Sequence, residues 1–326
     1  MPLVLKRLVT LALLAAVVAL IATHEGVADI PRHLAALDPS LLPLALALPA
    51  LAVLASVRRW QLLLAHEGLE LPFPTLLGSF LRGRFVGAFT PSTTGLDLYR
   101  LVDVARLTGE RAKSARVVLV EKLYGLVALA LVTFALLPFG LARFFGPAGL
   151  ALAGALGLAS LAGLALLARP AWLRALARRA GPLRSRATVL ADALATRPPD
   201  AGLVLRLMLL GLASHGASAA LFVATGLALG VAASPLALLV VGNAIVLATL
   251  LPISVGGVGV REGTAVALLA LVGVGATPAA LVALLGYLAM QPPALVGGLL
   301  LLGRRASEGP LARAAAPIGA PAEPGR

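Results

Sequence analysis

Apolar residues run along this chain in long blocks rather than in alternating or heptad patterns, and short clusters of glycine, proline or arginine separate the blocks. A helix that crosses a bilayer needs roughly 20 mainly apolar residues. Blocks near that length occupy about residues 3–23, 41–57, 115–137, 147–168, 203–226, 235–251, 263–280 and 281–303, with a weaker block at 73–90. The pattern predicts an all-α fold, a polytopic integral membrane bundle of six to eight spans. The first block, behind Lys6 and Arg7, has the build of a secretory signal. The many spans after it favour an ordinary first helix or a signal anchor.

Charge placement orients these spans, because Lys and Arg accumulate in cytoplasmic loops. Lys6 and Arg7 put the N-terminus inside, and the loop from His24 to Ser40, with Glu25, Asp29 and Asp38 against Arg32, lies outside. Arg58 and Arg59 end the second span inside, as do Arg100, Arg106, Arg111, Lys113 and Arg116 for the stretch 100–116. The block between them therefore enters and leaves on one side, and residues 73–99 read as a re-entrant hairpin covered by protein or a polar cavity. The loop from Arg169 to Arg197 holds seven arginines and is cytoplasmic; it reads as a solvated basic loop touching headgroups. The Ala-, Pro- and Gly-rich residues 304–326 read as a disordered cytoplasmic tail.

An internal repeat links two of the polar interruptions. "TPSTTGLDLYR" (90–100) and "LPISVGGVGVRE" (251–262) share the pattern P-x-[ST]-x-G-x4-R: Pro91 aligns with Pro252, Thr93 with Ser254, Gly95 with Gly256 and Arg100 with Arg261, all at an offset of 161 residues. Neighbouring spans recur at similar offsets. The predicted organisation is one transmembrane domain over 1–303, with repeat 1 at about 3–137 and repeat 2, inverted, at about 147–303. Each repeat then carries three spans and one re-entrant hairpin, as in many transporters; the second hairpin falls at about 235–275. Eight full spans fit the same charges, and both counts leave the C-terminus inside.

Composition agrees with the pattern. Hydrophobic residues make up 60% of the chain and charged residues 13%, and the mean hydropathy is +0.99, well outside soluble averages. The net charge of +13 marks cytoplasmic loops facing anionic lipid rather than a nucleic-acid partner. Cysteine is absent, which excludes disulfides, thiolate catalysis and Cys-ligated metal. His24, His33 and His66 have no metal-ligand spacing, so neither metal nor cofactor is expected. No G-x-S-x-G, H-E-x-x-H or Walker loop is present, and the Gly256, Gly257, Gly259 cluster lacks the strand–helix context of a nucleotide site. The chain is therefore expected not to be an enzyme, with a lipid-modifying transferase the least favoured class.

The broken loops supply candidate chemistry. Proline and glycine at Pro91, Gly95, Pro252, Gly256, Gly257 and Gly259 free backbone N–H groups and half-helix ends that suit an anionic phosphate. Arg100 and Arg261 offer planar, bidentate donors, with Thr93 and Ser254 beside them. Glu262, Asp97 and Glu121 balance the arginines or meet a cationic headgroup; alternatively the arginines only end helices and snorkel to the interface. His215 reads as a packing histidine and Asn243 as an interhelical hydrogen-bonder.

The stretches "PISVGGVGVRE", "TPSTTGLDLYR" and "VVLVEKLYGL" resemble the lysylphosphatidylglycerol synthase transmembrane-region family over roughly residues 5–303. The first motif departs from the expected Gly-Glu pair, having Leu96 and Asp97 after Gly95. The resemblance implies a flippase-like membrane protein; the soluble aminoacyl-transferase domain of bifunctional relatives has no counterpart in this sequence. Together these readings predict binding and translocation of an anionic or aminoacylated phospholipid, or a polyprenyl-linked lipid, across the cytoplasmic membrane, in a multi-pass protein with both termini cytoplasmic. The alternative is a non-catalytic membrane partner of a separate lipid-modifying or glycosyl-transferring enzyme. The expected partners are an anionic phospholipid headgroup and either a second copy of the chain or a separate synthase.

Overall fold

A computed structural model of the chain describes residues 8, 10–16, 18–19, 29–90, 94–168, 171–172, 174–175, 188, 191–192, 196–250, 253–254 and 256–307. Much of the first predicted span, most of the arginine-rich loop, the tail beyond 307, and Pro91, Thr93 and Pro252 lie outside the described residues. The described secondary structure is helical, with no strand: α1 (Ile30–Ala35), α2 (Leu42–His66), α3 (Phe73–Ala88), α4 (Thr94–Thr108), α5 (Arg111–Ala168), α6 (Ala201–Ala228), α7 (Pro235–Leu250), α8 (Val260–Ala270), α9 (Ala276–Ala289) and α10 (Pro292–Ser307). The pure helical class follows from the solvent, since a bilayer leaves no water to satisfy backbone groups and a helix satisfies its own.

Among the described residues, four stretches are long and apolar enough to cross a membrane: Pro39–His66, Arg111–Leu136, Ala201–Ala228 and Ala276–Gly303. The protein is a polytopic helical membrane protein. α2 and α6 run antiparallel over their whole length. Asp38 N–H donates to the Ala228 carbonyl at one end (2.8 Å), and His66 Nε2 meets the Arg197 carbonyl at the other (2.9 Å). Between them Ser56 and Ser214 hydroxyls share a hydrogen bond (2.9 Å). Small polar residues at such a helix contact allow close approach and an interhelical bond together.

α5 is helical at every residue, where the sequence predicted two spans with a loop between them. Straight, its 58 residues would reach about 87 Å, far more than a bilayer. It is not straight. A side chain at Gly157 would run into the Phe134 ring, and one at Gly163 would lie 3.0 Å from Val127. The two arms therefore double back on each other and correspond to the predicted spans 115–137 and 147–168.

Two pairs of short helices differ from these spans. α3 and α4 have 16 and 15 residues, and α7 and α8 have 16 and 11, so each helix is only about 16–24 Å long against a hydrocarbon core of about 30 Å. Within each pair the helices pack together, which makes hairpins of the segments predicted at 73–99 and 235–275; the first extends farther, to Thr108. The predicted span 281–303 falls within the apolar stretch Ala276–Gly303, whereas 263–280 is divided between α8 and α9. The chain breaks at 271–275, where Gly273 has a φ of 83°, and again before Pro292 and Pro293, whose missing N–H groups end α9. α10 continues to Ser307, into the stretch assigned to the tail.

Two apolar cores hold the bundle. Val57, Trp60, Leu64, Leu76, Phe80, Tyr124 and Leu207 build one; Phe222, Leu238, Ile245, Leu269 and Val282 build the other. α6 contributes Leu207 to the first and Phe222 to the second, so it joins them.

Candidate functional site

The tips of the two hairpins meet. At the first tip the Thr90 hydroxyl accepts from Gly95 N–H (3.1 Å) and donates to the Gly87 carbonyl (3.0 Å), tying the end of α3 to the start of α4. At the second, Gly256, Gly257 and Gly259 take φ values of 62°, 74° and 82°, a left-handed region in which side chains are strained. This is why the glycines cluster there. Gly259 N–H donates to Glu262 Oε2 (2.7 Å), so the donor expected to face a phosphate is occupied by the chain's own carboxylate. A side chain at Gly256 would lie 3.7 Å from the Ala88 carbonyl of the first hairpin.

On one side of the junction is a cavity of about 150 Å³ lined by Arg59, Arg100, Glu121, Asp97, Lys122 and His215, among others. Its charges form a continuous network. Arg59 donates from Nε (3.1 Å) and Nη2 (2.6 Å) to Glu121 Oε1, and Arg100 Nη2 donates to Glu121 Oε2 (3.0 Å) and Asp97 Oδ1 (2.7 Å). Lys122 Nζ reaches Asp97 Oδ2 (2.8 Å). Arg100 also lies over the rings of Trp60 and Phe80, 5.0 and 5.2 Å from their centroids. Arg59 fits because two glycines face it: side chains at Gly125 and Gly211 would come within 3.2 and 3.1 Å of its guanidinium.

The second cavity, about 190 Å³, is lined by Arg84, Gly256, Gly257, Arg261, Tyr287 and Gln291, with several apolar residues. Arg261 Nη2 donates to the Gly256 carbonyl (3.1 Å), and its guanidinium lies over the Tyr287 ring, 4.5 Å from the centroid. Arg84 Nη2 makes a long contact with the Met290 carbonyl (3.3 Å). Leu96 borders both cavities.

The structure thus brings Arg100, Asp97 and Glu121 together at one cavity, and Arg261, Gly256 and Gly257 together at the other. Neither arginine snorkels: Arg100 is 3% and Arg261 6% exposed within the bundle. The acidic residues are not open to a cationic group, because Asp97 and Glu121 are held by arginines and lysine and Glu262 closes the N-terminus of α8. Ser254 is buried with no partner for its hydroxyl and lines neither cavity. Gly95 shapes the first tip, and Gly259 packs against Leu13 of the N-terminal segment.

Three contributors escape a reading of the motifs. Arg59 reads as the end of a span, yet α2 continues for two turns beyond it; apolar Leu62, Leu63 and Leu64 after Arg59 carry that signal. Arg84 and Arg82 lie inside the weak block 73–90, and charge within an apolar block is itself a marker of function. Arg82 joins α3 to α4 through Tyr99 (3.0 Å) and Asp103 (3.1 Å). Asn243 donates to Thr133 across helices (3.0 Å), as expected. His215 borders the first cavity with Nε2 lacking a partner.

Residues 7–297, nearly the whole chain, match the family described as lysylphosphatidylglycerol synthase TM region. No curated protein matches the chain significantly.

Proposed function

The chain belongs to the lysylphosphatidylglycerol synthase transmembrane-region family, and from that premise we propose that it binds a lipid headgroup phosphate where its hairpin tips meet and carries it across the cytoplasmic membrane. One observation carries this reading: the two cavities at the tips are lined by five cationic side chains, Arg59, Arg84, Arg100, Lys122 and Arg261, against two carboxylates, Asp97 and Glu121. Burying Arg59, Arg100 and Arg261 costs roughly 3 kcal/mol each even on the lenient insertion scale. The excess of cations over carboxylates favours an anionic guest. Arg59 Nη1, Arg84 Nε, Arg100 Nε and Nη1, and Arg261 Nη1 are buried without a protein acceptor, and a phosphate oxygen is the acceptor that a guanidinium fits best.

The element order supports an inverted repeat as the scaffold for this movement. A long helix, two short hairpin helices and a second long helix occur in both halves, α2 to the first arm of α5 and α6 to α9–α10. The antiparallel run of α2 and α6 supports halves that face opposite ways, and the arginine-rich stretches of the sequence support cytoplasmic termini. Leu96, which borders both cavities, is the barrier in this reading. No chemical step is assigned to the chain.

The test is headgroup accessibility of fluorescent phospholipids in proteoliposomes. Faster transbilayer movement with wild type than in empty vesicles, lost in folded Arg261→Ala, supports the reading. No protein-dependent movement across anionic, aminoacylated and polyprenyl-linked lipids would sink it, and the chain would then act as a membrane partner of a separate enzyme.

A further inference from the structure

The acidic residues that a positively charged headgroup would need are already engaged. Both Glu121 oxygens accept from arginines, Asp97 accepts from Arg100 and Lys122, and Glu262 Oε2 holds the Gly259 N–H while Oε1 lies 3.8 Å from Arg261. The larger cavity has no carboxylate in its wall. It has two guanidinium groups instead, and each keeps a buried donor without a hydrogen bond: Nε of Arg84, and Nη1 of Arg261, which lies 3.8 Å from Glu262 Oε1. Tyr287 beneath Arg261 and the Gly256 carbonyl at its Nη2 fix the plane of that guanidinium, so its orphaned donor is set before a ligand arrives. A preset donor loses little freedom on binding.

We infer that the cavity between Arg84 and Arg261 is an oxyanion site for a phosphate group, and that it selects against lipids whose headgroup carries net positive charge, aminoacylated ones included. This deepens the reading above and rests on it for the membrane origin of the ligand. A phosphodiester brings one negative charge to two guanidinium groups, of which only Arg261 has a carboxylate nearby, Glu262 at 3.8 Å, whereas a lysyl ester on the same headgroup adds two ammonium groups that meet like charge.

Calorimetric titration of the full chain in detergent tests this with dihexanoylphosphatidylglycerol, its lysyl ester and inorganic phosphate as probes. The unmodified lipid is expected to bind at least about tenfold more tightly than the lysyl ester. Arg84→Gln and Arg261→Gln should each weaken it about tenfold, the loss expected for one charge-assisted bond. Arg206→Gln, on the exposed side of α6, should not change it. Melting curves establish which variants fold; where a glutamine variant does not, Arg84→Lys or Arg261→Lys keeps the charge, removes the planar fork and should still weaken binding. Inorganic phosphate binding as tightly as the lipid, with the same arginine dependence, would keep the oxyanion site and assign it to the free ion. A lysyl ester that binds equally well overturns the selectivity, and unchanged affinity in folded arginine variants overturns the site. Binding without transport in proteoliposomes removes the translocation reading alone.

Discussion

Glu121 is the residue on which three helices converge: it lies on α5 and accepts from Arg59 of α2 and Arg100 of α4. All three side chains are nearly inaccessible. Removing one partner of a buried pair leaves an uncompensated charge in a low-dielectric setting, which costs roughly 3–5 kcal/mol. Glu121→Gln is therefore expected to destabilise the protein by about 3 kcal/mol or more. Lys122, whose side chain is 48% exposed, holds Asp97 from the cavity rim, and Lys122→Gln should cost less than about 1 kcal/mol. Unfolding of both variants in detergent checks the contrast, and equal losses would refute it. The sequence shows Glu121 and Lys122 as adjacent charges in an apolar run. Which of them is buried depends on the helix face turned toward α2 and α4, and only packing decides that face.

At the scale of elements, helix length separates the spans from the hairpins. The break at Gly256 was legible in the sequence because few other residues tolerate its positive φ, and the repeat marked the equivalent place at Gly95, where Thr90 leaves no room for a side chain. The break at Gly273 was not, since an isolated glycine in an apolar run is equally compatible with a continuous helix. The hairpin geometry makes a direct prediction, and the absence of native cysteine gives a clean background. Glu70→Cys and Glu110→Cys, which flank α3 and α4 at exposed positions, should react with an impermeant maleimide from the same side of sealed vesicles. Labelling from opposite sides would make the pair a true crossing.

Across the whole molecule, α6 ties the two apolar cores together and runs against α2. Antiparallel packing of helices that hold equivalent places in the two halves predicts opposite orientation of the hairpins. Ala232→Cys and Leu271→Cys, flanking α7 and α8, should both label from the side opposite to Glu70→Cys and Glu110→Cys. If all four label from one side, the halves are parallel and the inverted repeat is wrong.

The sequence by itself determined the environment and the helical class, because continuous apolar runs have no stable folded alternative in water and no alternative to helix or barrel in lipid. It also determined the breaks marked by the repeated motif and which residues beside them carry charge. What only the tertiary structure decided is how the charges sort. Arg100 and Arg261 hold equivalent places in the repeat, yet Arg100 hydrogen-bonds two carboxylates, Asp97 and Glu121, and lies over two rings, whereas Arg261 has only Glu262 nearby, at 3.8 Å, and shares a cavity wall with Arg84. The difference arises because Arg59, Glu121, Arg84 and Tyr287 come from helices distant in the chain, and pairing between buried charges depends on distances that no spacing along the sequence encodes.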